Sequence, residues 1–442
     1  LAATSKADDR NPQVRARRTL TAFVVALGLI AAGCSDDGTG TSPTSSEVPV
    51  PTIPDRGNVD GVLRLGYLLP VSGQSASVGP PMIKGIEMAV RDINATGGVN
   101  GEALTLVGGD EGDDPSVAGV TVDRLLNSEK IDVLIGPASS TTALSVLGRT
   151  SAGGVLTCSP SNTALALEQF PDDGYYVRSA PSDRLQGVAL AEVIAEGGYQ
   201  TVALMSPNDD YGRGLSDVLV DQLRVNGIRV TINYAYDPNG SNFAPDVRRV
   251  LETDPEAIAV IGLPDTAGLV LRKLIDLGAG PDRLPTFVTD GLRVPNLYQQ
   301  VDSTRPDATA GIRGTAVATA PTTFGSTFGD EFAAFAPGSP STFASYAYDC
   351  AVILALAAQA TRSDDGTLIR DEIVNVTRGG VPCRTYESCK RLLDLGRNID
   401  YEGASGPLDF TDIGDPSRGT YDVFVYNPDG TDTTERQIQV GP

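Results

Sequence analysis

Four hydroxyls crowd one turn of this chain. In "IDVLIGPASSTTALSVL", residues 131–147, a short apolar run passes into an amphipathic helical pattern through Ser139, Ser140, Thr141 and Thr142. A helix start needs one such side chain as a cap, because Ser or Thr there accepts from a backbone N–H two or three residues on. Two readings stand side by side: a cap with spare hydroxyls, or a hydrogen-bonding site at a helix N-terminus. Other apolar runs end in small polar loops of the same kind: "PVSGQSASVG", "CSPSNTA", "SPNDDYGRG", "GLPDTAG" and "VTDGLRV". They hold Ser, Thr, Asn, Tyr and Asp, and almost no Lys. That inventory suits recognition better than catalysis.

The chain contains no histidine. Ser–His–Asp triads, Cys–His pairs and imidazole metal sites are excluded together. The run "DEGDDP" at 110–115 looks superficially like a calcium loop, but it lacks the alternating acidic spacing and the distal Glu. It reads as a helix entry, and neither a metal nor a cofactor is expected. A formal charge of −22 over 442 residues argues against nucleic acid, which needs a basic stripe.

The beginning of the sequence reads as an export signal. Arg15, Arg17 and Arg18 precede an uncharged apolar stretch ending in "IAAGC" at Cys34. A basic region followed by about 7–15 apolar residues is a secretory signal, too short for a membrane span. Small residues directly before a cysteine resemble a bacterial lipobox, so residues 1–33 are expected to be cleaved and Cys34 lipidated. Residues 34–60 are polar and rich in Ser, Thr, Gly and Pro, the composition of a flexible tether. Without residues 1–33, which carry five basic and two acidic side chains, the charge becomes −25. Export permits disulfides. Cys383 and Cys389 are close enough to staple a loop onto a helix start. Cys158 and Cys350 read first as two buried free thiols, with a second bridge as the alternative.

From Gly61 the pattern is strand, loop, helix, repeated. In "PPMIKGIEMAVRDINATGG", Ile83, Ile86, Ala89, Val90 and Ile93 share one helical face. Strands alternating with helices of this length predict parallel βαβ units. The rhythm restarts after "YVRSAPSDRLQG", which predicts a second lobe. The expected fold is α/β: two doubly wound parallel-sheet lobes joined by a multi-strand hinge. Residues 61–181 with 317–394 would form the first lobe, and 182–316 with 395–442 the second. "GPLDF" and "TYDVFVYNPDG" read as a terminal strand pair. In open sheets of this kind, ligands bind outside the carboxyl ends of the strands, where the polar loops fall.

Those loops carry a family likeness. "LGYLLPVSGQSASVGPPMIKGIEMAVRDINATGG", "VLIGPASS", "SPSNTA", "NDDYGRGL", "YAYDCAVILALA" and "DYEGASGPLDFTDIGD" occur in order. Together they resemble type I periplasmic solute-binding proteins, in particular the branched-chain amino-acid (Leu/Ile/Val)-binding family of ABC transporters. The resemblance covers about Gly61 to Pro442. It implies that Ser139 and Ser140 receive a ligand carboxylate, consistent with N–H groups and hydroxyls at a helix start. It implies that Ser161 and Thr163 receive an ammonium, that Tyr211 closes over the ligand, and that Asp290 pairs with the ammonium. Each residue also has a plainer reading: caps for Ser139 and Ser140, turn hydroxyls for Ser161 and Thr163, packing for Tyr211, a turn Asp for Asp290. Val78 and Leu263 stand where relatives often have aromatic or polar groups, and relatives bind amides, urea-like solutes and aromatic acids as well. The resemblance further implies a monomer anchored to the outer face of the cytoplasmic membrane, handing its solute to ABC permease subunits without covalent chemistry. The rivals are a sensor serving a membrane receptor and an enzyme built on paired carboxylates.

Overall fold

The computed structural model describes residues 59–442 apart from 74, 113 and 322–324. The expected signal peptide, the lipid site Cys34 and the tether up to residue 58 lie outside the described residues.

The first sheet contains β1 (Arg64–Leu69), β2 (Thr105–Asp110), β3 (Val133–Ile135), β4 (Leu156–Ser159) and β5 (Tyr176–Arg178). Their order is β2-β1-β3-β4-β5, all parallel. Between them run α1 (Gly79–Ala95), α2 (Pro115–Asn127) and α3 (Ser140–Ala152). The inner strand β3 is buried on both faces, which is why it reads as an unbroken apolar run rather than an alternating one, whereas β2 at the sheet edge is only partly buried. Leu65, Val133 and Ile135 enter the core on one side, and Leu68 and Leu134 a separate core on the other.

The chain then builds α4 (Asp183–Glu196), β6 (Thr201–Pro207), α5 (Asp210–Val225), β7 (Arg229–Tyr236) and α6 (Ala244–Leu251). It continues through β8 (Ala257–Val260), α7 (Pro264–Asp276), β9 (Thr286–Val288), α8 (Tyr298–Asp302) and β10 (Arg313–Val317). These strands lie in the order β7-β6-β8-β9-β10, parallel throughout. The second lobe therefore repeats the strand order of the first.

Next, α9 (Phe328–Phe335), α10 (Ala344–Thr361) and α11 (Gly366–Glu372) return to the first body, followed by β11 (Val381–Cys383) and α12 (Tyr386–Asp394). A helix apolar all round belongs in a core, and α10 is buried from Ala344 to Gln359. It lies so close to α1 that a Cβ on Gly85 would stand 2.2 Å from the Ala344 carbonyl oxygen. β12 (Ile399–Gly403) and β13 (Gly406–Pro407) form a small sheet with β11. Ile399, Tyr401, Leu408 and Phe410 pack in the first core, so the last crossing comes after Phe410 rather than at residue 395. Finally β14 (Gly419–Tyr426) and β15 (Asp432–Val440) extend the second sheet antiparallel beyond β10. The terminal pair is thus β14 with β15. "GPLDF" instead supplies β13, which pairs with β12.

The cysteines correct one expectation. Cys158 and Cys350 are not free thiols: a disulfide joins them, tying β4 to α10 across 192 residues of sequence. A second disulfide joins Cys383 to Cys389. At the hinge, Arg178 is fully buried and grips Asp415 with both arms, Nε to Oδ1 and Nη2 to Oδ2 at 2.7 Å each. This pair links the first crossing between lobes to the third.

Candidate functional site

Loops from the carboxyl ends of both sheets line one cavity of about 100 Å³. A single buried water needs roughly 10–15 Å³ on such a scale, so the space suits a small solute. In each lobe the strand order reverses beside the first strand, and ligands in open α/β sheets bind at such a switch point. The first lobe contributes Ser75 and Val78 after β1, residues 138–141 after β3, and Ser161 and Thr163 after β4. The second contributes Asp209 and Tyr211 after β6, Leu263 after β8, and Asp290, Gly291 and Val294 after β9. All six residues singled out in the sequence, Ser139, Ser140, Ser161, Thr163, Tyr211 and Asp290, line this one cavity, and so do Val78 and Leu263.

The hydroxyl wall is built on the start of α3. Ser139 is the cap, its hydroxyl accepting from the Thr142 N–H at 3.4 Å. Ser140 Oγ accepts from the Ala164 N–H at 3.4 Å, and Ser161 Oγ donates to the Ala138 carbonyl at 3.1 Å. The helix start is not empty of charge. Glu111, fully buried, accepts from the Ala138 N–H at 2.6 Å and the Ser139 N–H at 3.0 Å. A ligand carboxylate here could use hydroxyls and the next amides of the turn, but not those two. Glu111 lies in the acidic run that reads as a helix entry. Asp114, three residues on, does cap α2, accepting from the Ser116 N–H.

The acidic wall faces it from the second lobe. Asp290 is 7% exposed; its Oδ1 accepts from Gln186 Nε2 at 2.9 Å and from the Tyr211 hydroxyl at 3.4 Å. The Tyr211 hydroxyl also bonds Thr289 Oγ1 at 2.9 Å. Burial raises the Asp290 pKa above the usual 3.8, although these hydrogen bonds pull it back. Asp209 caps α5 through the Gly212 N–H at 2.8 Å, and burial raises its pKa too. Gly212 is required there, since a Cβ would lie 2.2 Å from the Pro207 carbonyl oxygen. Both cavity carboxylates come from the second lobe, and none of the described lining residues is Lys or Arg.

Several participants escape sequence reasoning. Thr342 and Phe343 reach the cavity from the loop before α10. Gln186 orients Asp290 from α4. One turn earlier on that helix, Asp183 is fully buried, and neither of its oxygens has a hydrogen bond of good geometry. Burial, then the charge of Asp290, drives its pKa well above 3.8. "PSDRLQG" holds both residues, but nothing in the motif shows that they face the cleft.

Known proteins resemble this chain. BasB of Halobacterium salinarum, a chemotactic signal transduction system substrate-binding protein, is 26% identical over 384 residues, 84% of this chain and 88% of the relative. Leu/Ile/Val-binding protein homolog 1 of Brucella abortus is 25% identical over 387 residues, 85% of this chain and 93% of the relative. Among solved structures, the branched-chain amino acid transporter substrate-binding protein LivJ of Streptococcus pneumoniae, in complex with isoleucine, superposes with a TM-score of 0.70. It is 22% identical over 86% of this chain and 100% of its own, a likeness of fold. The two-lobed architecture is accordingly that of the type I periplasmic binding proteins. Matched by the periplasmic binding protein model over residues 62–423, which take in every residue lining the cavity, the chain belongs to that family.

Proposed function

We propose that the chain is the extracytoplasmic solute-binding lipoprotein of an ABC importer, carrying an amino acid or related small solute to a membrane permease. The family implies an extracytoplasmic location, and the basic, apolar and "IAAGC" segments ahead of residue 35 support export and lipidation at Cys34. One observation carries the ligand class: a buried carboxylate, Asp290, opposes a hydroxyl-lined helix start in a cavity with no cation among its described lining residues. A zwitterion complements both walls. Its ammonium would meet Asp290, Ser161 and Thr163, and its carboxylate the hydroxyls of Ser139, Ser140 and Thr141. A charge-assisted bond to Asp290 in a site shielded from water is worth about twice a neutral one. Tyr211 would close over the ligand. The protein acts as a monomer, binds no nucleic acid and needs neither metal nor cofactor.

The reading is one of binding, not catalysis. A carboxylate-based glycosidase places its two acids on opposite sides of the scissile bond, whereas Asp209 and Asp290 share a lobe. A sensor remains the second reading, favoured by the likeness to a chemotactic relative.

A thermal-shift screen of the intact chain against amino acids, amides and aromatic acids tests the proposal. A ligand selective for the folded state adds about 2.7 kcal/mol at a hundredfold excess over Kd. The expected result is a clear shift with amino acids. No shift in any class, after unfolding and refolding to strip carried-over solute, would overturn it.

A further inference from the structure

Beside Asp290 a second chamber adjoins the first. Its volume is about 360 Å³, against about 100 Å³ for the first, and the two share Asp290, Thr342 and Phe343 as common walls. This chamber is polar and charged. Arg293, Asp422, Asp432 and Gln437 converge on it from the second sheet and the loop after β9. Arg293 is already engaged: Nη1 donates to Asp422 Oδ2 at 2.7 Å, Nε to Asp432 Oδ2 at 2.9 Å and Nη2 to Thr434 Oγ1 at 2.7 Å. Gln437 Nε2 donates to Asp422 Oδ1 at 2.8 Å. One guanidinium held between two carboxylates leaves a net negative wall even before Asp290 is counted.

A neutral aliphatic side chain gains nothing from such a wall and would strip water from its carboxylates at a cost. A cation does the reverse. We infer that this chamber is a side-chain subsite, and that the solute is an amino acid whose side chain ends in a cation, the chemistry of lysine, ornithine or arginine. The inference rests on the amino-acid reading of the first chamber. With the α-ammonium at Asp290, the side chain passes the common wall into the second chamber. Phe343, 8% exposed and in a T-shaped pair with Tyr346 whose ring centroids are 6.1 Å apart, lines both chambers and supplies apolar wall for the methylene stem.

Isothermal titration of the purified full chain with L-lysine, L-arginine, L-leucine and L-alanine tests this at neutral pH. Lysine or arginine should bind at least about tenfold more tightly than leucine and alanine. Asp432→Asn cancels the net charge of the wall and should weaken the cationic ligand about tenfold, leaving alanine within about twofold. Ala320→Leu, which fills the chamber without touching a charge, should discriminate the same way. Leucine or alanine binding as tightly as lysine overturns the subsite while sparing the amino-acid reading. Variants that weaken alanine and lysine equally do so as well. Failure of all four solutes to bind overturns both.

Discussion

Asp183→Asn tests the electrostatics of the cleft floor. The carboxyl lies in the first turn of α4, fully buried, with Asp290 as a like charge nearby. Thr163 and Arg178 pull its pKa down without overcoming burial. A carboxyl whose folded pKa stands above its unfolded value binds a proton more tightly when folded. Its cost is absent below the unfolded value of 3.8 and grows as pH rises towards the folded one. At pH 7 that cost is capped by the work of proton uptake over the interval from 3.8, about 4 kcal/mol at 1.36 kcal/mol per unit. Asn is nearly isosteric and never charged, so the variant should be more stable at neutral pH by about 1–4 kcal/mol. Losing a favourable charge at a helix start opposes this by only about 0.3–1 kcal/mol. Melting curves should rise by roughly 2–4 °C per kcal/mol in units of this size, and the gain should shrink as pH falls towards 4. Coincident melts at pH 7.5, or a gain independent of pH, would refute the assignment of an uncompensated buried carboxyl.

The other perturbations are read by binding or by denaturant. Asp290→Asn should cost an amino-acid ligand about 2–5 kcal/mol by titration calorimetry; in the parent, affinity should be lost as pH falls through a value above the usual 3.8, because burial raises it. Glu111→Gln replaces a double acceptor with one acceptor and one donor, leaving the Ala138 or Ser139 amide unpaired; urea unfolding should register about 1–3 kcal/mol of destabilisation. Asp415→Ala leaves Arg178 buried without its partner carboxylate. A loss of about 3–5 kcal/mol is expected in the same assay, and a loss below 1 kcal/mol would mean that water or Glu168 replaces Asp415.

The strand–helix alternation was legible because the inner strands of both sheets are covered on two faces, which makes strands such as β3 and β8 unbroken apolar runs. The polar loops were legible for a related reason: a strand's carboxyl end is where such a run must stop. What escaped was set by tertiary contact. Cys158 and Cys350 stand 192 residues apart, and only the packing of α10 on β4 brings them together. β15 is a polar edge strand with no buried residue, and charge on an edge is how sheets avoid further pairing. It therefore lacks the apolar signal that betrays a strand. Residues 399–410 look like the start of the second lobe's tail but pack in the first core. In the site, Ser139 proved to be both cap and cavity wall, so the two readings of that turn were never exclusive. Glu111 was hidden in an acidic run whose neighbour Asp114 does the ordinary work of capping.

The repeated strand order explains why six residues from distant loops meet, and the chemistry each half brings explains what could draw the halves together. The positions are equivalent: after the first, third and fourth strand of each parallel set. The first half sets neutral hydroxyls there, on a helix start whose nearest amides Glu111 already satisfies. The second half sets Asp209 and Asp290, both with pKa values raised by burial. Tightening such a cleft when empty would further desolvate two carboxylates with no cation among the described lining residues to meet them. A solute bearing an ammonium removes that penalty and adds hydrogen bonds to the opposite wall. Contacts made to both halves at once favour the closed form over the open one, and only such differential contacts can shift a conformational equilibrium. A neutral solute of the same size would fill the space and leave the carboxylates unanswered, so on the proposed reading the charge of the ligand, more than its shape, would decide whether the cleft closes.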